Sequence, residues 1–280
     1  MKPSTDLVVR GAIAFVATLA LAPVAGALLP SQPFHGVMTR TFLIAFVVSI
    51  VVRRGPRSTW AGKFRAMGFR GPYRFRRVVL GTAVGLAAMA LLLLVSWALG
   101  GRDLPAAPHR HPFALHVVRA FLLAAVVALF EEILARGYLK DAAGNVASAV
   151  LFSVVHLLQP AGTTPPAQGY DPLLAVKRLG DLLGLLGDPA RVVLGFLCLF
   201  AFGLALNRLR DRTGTLYLGM GIHFGAVFVI RFYGRFLTVN STPRWAFGGP
   251  FLSDGLLPLL ALLLLLLASY RAPLPAWARA

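Results

Sequence analysis

The sequence predicts an all-α fold, a polytopic integral membrane bundle of about eight transmembrane helices. Three observations carry that prediction. Apolar residues make up 58% of the 280 and charged residues only 14%, a balance foreign to soluble globular domains. The apolar residues fall in runs approaching the roughly 20 needed to cross a bilayer. The Lys and Arg residues, which leave a net charge of +18, lie between those runs rather than on one solvated face. That placement suits loops between membrane spans and excludes nucleic acid as the partner.

Eight runs are candidate spans: about 11–29, 36–52, 78–99, 115–139, 145–159, 191–207, 215–232 and 251–269. The third and last are the clearest, with Leu91 to Val95 and Leu262 to Leu267. The first also has signal-peptide features, Lys2 and Arg10 ahead of an apolar stretch and Ala25-Gly26-Ala27 after it. A retained helix is the preferred reading, because many later spans follow. Residues 160–190 form a long connection in which Pro160, Gly162, Pro165, Pro166, Gly169 and Pro172 disfavour regular structure at the start. Leu173 to Leu186 is expected as a short helix lying on the membrane, and Arg271 to Pro275 as an extended tail. The lone Cys198 lies inside an apolar run, so no internal disulfide or cysteine metal cluster forms.

Orientation follows from the positive-inside rule. With the N-terminus inside, the inner segments carry 18 of the 28 Lys and Arg. Nine of them lie in 53–77: Arg53, Arg54, Arg57, Lys63, Arg65, Arg70, Arg74, Arg76 and Arg77. Trp60, Phe64, Met67 and Phe69 interleave with them, a pattern that suits either an interfacial segment on anionic lipid or a solvated basic loop. The expectation is a multi-pass protein of the inner (plasma) membrane with both termini cytoplasmic and lipids as partners. The chain reads as a single transmembrane domain, 1–280, with N-terminal helices and the basic loop over 1–109 and a core over 110–270.

Polar residues inside the spans are few. Glu131 and Glu132 are the only glutamates in the chain, and they are adjacent within an apolar run. A charge at the bilayer centre costs about 2.5–3.5 kcal/mol on insertion scales, so it needs a partner or a function. Arg136 shares the fourth run, His156 lies in the fifth and His223 in the seventh. His35, His109, His111 and His116 lie in or beside outer segments. At about 1.5 Å per residue, Glu131 and His223 lie about 12 Å, and His156 about 16 Å, from the inner ends of their runs. Similar depths on three helices point to one shared site.

Glu132 and Arg136 are spaced i and i+4 and can pair. Glu131 points about 100° away, on a face with Ala124, Ala128 and Ala135 small enough for another helix or a substrate to approach. A histidine from another helix is its natural partner. Phe152 and His156 share a face, and Gly219, Gly221 and Gly225 permit close packing around His223. A carboxylate and imidazoles in a largely dry pocket suit water activation and oxyanion stabilisation, hence peptide hydrolysis without a covalent intermediate or a cofactor. The competing chemistry is zinc held by Glu131, His156 and His223 with water as fourth ligand, although no His-Glu-x-x-His signature is present.

Glu131-Glu132-x-x-x-Arg136, Phe152-x-x-x-His156, the helix bearing His223 and Gly248-Gly249 before the last leucine-rich run together resemble the CAAX protease and bacteriocin-processing family. Its members are also described as type II CAAX prenyl endopeptidase-like, or ABI, intramembrane glutamic proteases. The resemblance covers roughly 110–270 and implies a catalytic core there. It implies Glu131 as catalytic base, His156 as its aid in activating water, His223 in the oxyanion hole, and Glu132 and Arg136 in support. The family's third motif is commonly His-x-x-x-Asn, but the fourth residue after His223 is Val227, which has no side-chain donor. The implied function is cleavage of a membrane-associated protein or peptide. Two alternatives stay open: a catalytically weak or inactive immunity or scaffold protein, consistent with Val227, and a proton-coupled transporter built on buried Glu and His.

Overall fold

The computed structural model describes residues 3–29, 33–53, 59–104, 112–157, 165, 167, 169–234, 236–240, 243–250 and 252–279. Lys2, Arg54, Arg57, His109, His111, Pro160, Gly162 and Pro166 fall outside the described residues. The chain is almost wholly helical. In order come α1 (Pro3–Leu28), α2 (Phe34–Arg53), the short α3 (Trp60–Ala66), α4 (Arg74–Ala98), α5 (Phe113–Leu134) and α6 (Lys140–Leu157). The short α7 (Leu174–Lys177), α8 (Pro189–Thr213), α9 (Tyr217–Tyr233), the short α10 (Arg244–Phe247) and α11 (Leu256–Arg271) complete the set. One two-residue antiparallel pair, β1 (Arg102–Asp103) with β2 (Thr238–Val239), ties the chain beyond α4 to the chain beyond α9.

Among the described residues four helical stretches are long and apolar enough to cross a membrane: Val9–Leu28, Arg74–Ala98, Phe113–Leu157, which is broken at Gly144, and Pro189–Thr213. Three shorter apolar helices, Phe34–Ser49, Tyr217–Tyr233 and Leu256–Arg271, accompany them. This is a helical membrane protein; the figure of eight crossings remains an expectation. The two runs expected at 115–139 and 145–159 are separate helices, because the chain breaks at Gly144 and folds back so that His156 returns to within 3.3 Å of Glu131. A π-helical turn, Ala135–Leu139, adds a residue after the glutamates, and Ser148 Oγ donates to Ala135 O at 2.8 Å beside it. Gly144 then leaves helical geometry at φ 85° and ψ 175°, a conformation open to glycine.

Helix boundaries follow local chemistry. Asp188 caps α8 by accepting from Arg191 N at 3.2 Å, Pro189 occupies its first turn, and Gly214 ends it in the left-handed region at φ 65°. That is the asymmetry expected of helix ends. The short helix expected over Leu173 to Leu186 is divided into α7, Leu174–Lys177, and a 3-10 stretch, Gly180–Gly187, whose glycines weaken α-helix formation. The first helix is built into the bundle. Buried Arg10 pairs with Asp6 at 2.6 Å and donates to Ser49 O of α2, while Tyr138 donates to Asp6 at 2.7 Å.

The basic loop also differs from a simple interfacial strip. Met67 is fully buried against Ile133, Tyr138 and Leu139, and Phe69 packs edge-on against Tyr217 at 5.8 Å. The C-terminal segment is docked rather than extended. It forms a 3-10 turn at Ala276–Ala278, with Trp277 O and Arg279 O accepting from Arg77 of α4. The tightest packing joins α4 to α9. A Cβ at Gly81 or Gly85 would meet Leu218 O or Ile222 O at 2.2 or 2.3 Å, and one at Gly221 would meet Val78 O at 2.3 Å. Backbone touches backbone along this seam, as small residues permit in membrane helices.

Candidate functional site

The site grows from the end of α5. Ala124 and Ala128 are buried, and so is Ala135 in the turn that follows, so the face that Glu131 shares lies against the bundle. Glu131 and Glu132 then project to different neighbours, as the 3.6-residue period requires.

Glu132 and Arg136 form a buried pair, Nη1 to Oε1 3.0 Å, each side chain 1% exposed. Arg136 lies over the Phe152 ring, 4.5 Å from its centroid, and its Nη2 donates to Gly203 O at 3.4 Å. The same Glu132 Oε1 accepts from His223 Nδ1 at 2.9 Å. Gly219 of α9 makes room for this approach, because a Cβ there would meet Glu132 Oε2 at 3.4 Å.

Glu131 is more open, with its side chain 17% exposed. Its Oε2 lies 3.3 Å from His156 Nε2 and 3.6 Å from His223 Nε2. The far nitrogen of each ring is engaged elsewhere: His156 Nδ1 lies 2.8 Å from Phe152 O, and His223 Nδ1 lies against Glu132. A carbonyl or carboxylate oxygen can only accept, so each Nδ1 carries a proton. In a neutral ring Nε2 is then a lone pair. Two such lone pairs face a carboxylate oxygen that makes no well-directed hydrogen bond among the described residues. Converging acceptors of this kind are relieved by a proton or by a water with two protons to donate. Two glutamates and one guanidinium leave the cluster one negative charge in excess, and one added proton would bring it to neutrality.

Aromatic rings set the walls. Phe152 lies tilted against His156 with centroids 4.4 Å apart and meets His223 edge-on at 6.2 Å. Phe202 of α8 meets His223 edge-on at 5.4 Å. Val227 stands on α9 one turn beyond His223, half-buried. Arg231, a further turn along, lies within electrostatic reach of Glu131. Among the described residues no group of three or more His, Cys, Asp or Glu side chains is arranged to hold a metal ion.

The structure therefore brings together Glu131, His156 and His223, with Glu132, Arg136 and Phe152 around them. It keeps His116 apart, bonded to Phe232 O at 3.1 Å. Sequence reasoning missed three features. The Glu132–His223 bond had only the small Gly219 as a signal, and Phe202 and Arg231 had none. Gly248-Gly249 has a structural account. Gly248 adopts φ +77°, and a Cβ at Gly249 would lie 2.9 Å from Asp254 Oδ2, so the pair cradles a buried carboxylate.

Residues 113–229 match the family model described as type II CAAX prenyl endopeptidase Rce1-like. The matched segment contains every site residue from Glu131 to Val227. No curated protein and no solved structure matches the chain.

Proposed function

From the Rce1-like domain over residues 113–229, we propose that this protein is an intramembrane endopeptidase of glutamic type, hydrolysing a membrane-associated peptide with Glu131 as general base. The observation that carries the reading is the convergence of two imidazole Nε2 atoms, 3.3 and 3.6 Å away, on Glu131 Oε2.

A water bound between Glu131 and His156 attacks the scissile carbonyl and gives its proton to Glu131. The tetrahedral intermediate collapses as Glu131 returns that proton to the leaving amine, so the carboxylate is regenerated. His156 holds its lone pair toward the water because Phe152 O fixes its tautomer. Because His223 Nδ1 is committed to Glu132, its Nε2 donates to the oxyanion only when the ring carries both protons. Glu132 and Arg136 position His223 and balance charge, and Phe152 positions His156.

The test is hydrolysis of membrane-associated peptides, prenylated and unprenylated, by the full chain in proteoliposomes. Glu131→Gln is expected to lower the rate about 10²–10⁴-fold, the range for general acid–base catalysis, with an unchanged melting transition. Wild-type cleavage by that variant removes the reading. Activity lost to a chelator and restored by zinc would favour the zinc alternative on the same three residues. One observation favours a second reading, a catalytically weak membrane immunity or scaffold protein. Val227 offers no donor where the family commonly has an amide, and loss of one oxyanion donor costs about 10²–10³ in rate. Under that reading Glu131→Gln leaves the cellular phenotype intact.

A further inference from the structure

At the face where α4 begins, α8 ends and α9 begins, a cleft of about 490 Å³ opens against the returning C-terminal segment. Arg70, Arg77 and Arg279 line it together with Tyr73, Thr215 and Trp277, and among the described residues none of its lining is acidic. The charge pattern assigns this face to the inner membrane surface.

The three arginines are held differently. Arg77 is 3% exposed. Its Nη1 donates to Thr215 Oγ1 at 3.1 Å and Thr213 O at 3.3 Å, and its Nη2 to Trp277 O at 3.1 Å and Arg279 O at 3.0 Å. Its Nε is buried without a hydrogen-bond partner. Arg70 and Arg279 are exposed, and each commits only Nε to the protein, to Gly214 O at 3.0 Å and Leu274 O at 2.9 Å. Their guanidinium planes are oriented by backbone contacts while the terminal Nη donors make no hydrogen bond among the described residues.

Three like charges around one cleft repel, and an anion between them removes the repulsion. A planar fork of N–H donors matches phosphate oxygens in a way that an ammonium does not. Tyr73 and Trp277 meet edge-on at 6.3 Å beside the cleft, where aromatic side chains of membrane proteins sit at headgroup level. Tyr73 also adopts φ 57°, a left-handed conformation that is costly for a non-glycine residue and is held only by its surroundings. Basic clusters at helix ends on this face attract anionic lipids.

We propose that this cleft is a phosphate-binding site, with the forks of Arg70 and Arg279 grasping the group above Arg77, and with an anionic phospholipid headgroup or free phosphate as its source.

The test uses the full chain in neutral detergent, titrated with short-chain phosphatidylglycerol, diacylglycerol of the same chain length, or inorganic phosphate, and reads the melting midpoint. A saturable rise with phosphatidylglycerol and none with diacylglycerol is expected, and names the lipid as source. An equal rise with inorganic phosphate names the free ion. No rise with either phosphate probe overturns the proposal. Arg70→Gln with Arg279→Gln should weaken apparent affinity roughly 100-fold, about tenfold for each charged hydrogen-bonding partner lost. Arg70→Lys with Arg279→Lys, which keeps the charge but not the fork, should weaken it about tenfold. Wild-type affinity in the Gln pair overturns the site. An equal loss in the control pair Arg65→Gln with Arg271→Gln, outside the cleft, does the same, because diffuse charge would then account for binding.

Discussion

Among the described residues, two clusters of buried charge differ in how fully their carboxylates are paired. One gathers Asp254, Arg191 and Arg102 around Gly248-Gly249. Asp254 accepts from Arg191 Nε at 2.6 Å on one oxygen and from Gly249 N at 2.6 Å on the other. Arg102 directs its terminal nitrogens at the carbonyls of Gly101, Phe247, Gly248 and Gly249, at 2.9 to 3.4 Å. Both carboxylate oxygens are used and the loop is closed. In the other cluster Glu132 Oε1 takes both Arg136 and His223, and Glu131 Oε2 faces two imidazole nitrogens. Asp254 has a partner on each carboxylate oxygen. Under the proposed function Glu131 keeps capacity for a proton, and incompletely bonded groups of this kind mark candidate functional sites.

The sharpest way to break this contrast is to neutralise one carboxylate in each cluster. Glu131→Gln should remove up to about 10⁴ of the rate while the melting transition stays in place, since the amide keeps the volume. Asp254→Ala should do the reverse. It strands Arg191 and Gly249 N, and breaking a buried pair by removing one partner costs about 3–5 kcal/mol. Denaturation would show the loss, while turnover per folded molecule should hold. Equal effects on rate and stability in both variants would erase the distinction.

The next largest effect concerns the missing donor. Val227→Asn places an amide one turn beyond His223, where the family commonly has one. If the oxyanion is short of a donor, the substitution should raise the rate by about 10², the lower end of what one such donor contributes. Single-turnover kinetics would check it. An unchanged rate would mean that another group near His223 already serves.

How much of this was legible beforehand differs element by element. Glu131, His156 and His223 could be brought to one level by counting residues from helix ends, because a rise of about 1.5 Å per residue is insensitive to sequence. The Glu132–Arg136 pair followed from i, i+4 spacing. The Glu132–His223 bond did not, because periodicity says which face a residue occupies and not which nitrogen meets which oxygen. The π-helical turn at Ala135–Leu139 has no pattern in the residues that would announce it. The apolar runs on either side of Gly144 read as two helices, and the backbone break at Gly144 does separate them. The docked C-terminal segment was missed for a different reason. Its Pro and Ala residues read as a tail, and the carbonyls that Arg77 grasps are backbone groups carrying no sequence signature.

The smallest effect probes what holds His223 in place, the seam between α4 and α9. Gly85 faces Ile222 O, and an added Cβ would sit 2.3 Å from it with no flexible side chain to yield. Overpacking of this kind costs about 1–3 kcal/mol, so Gly85→Ala should lower stability by that amount. The displaced element is α9, which carries His223 against Glu132, whereas Asp254 and Arg191 lie on other elements. The variant should therefore slow hydrolysis per folded molecule and leave the Asp254 loop intact, as read by proteolysis of the 243–255 segment. Faster proteolysis there with hydrolysis unaffected would show that the seam supports the scaffold and not the chemistry.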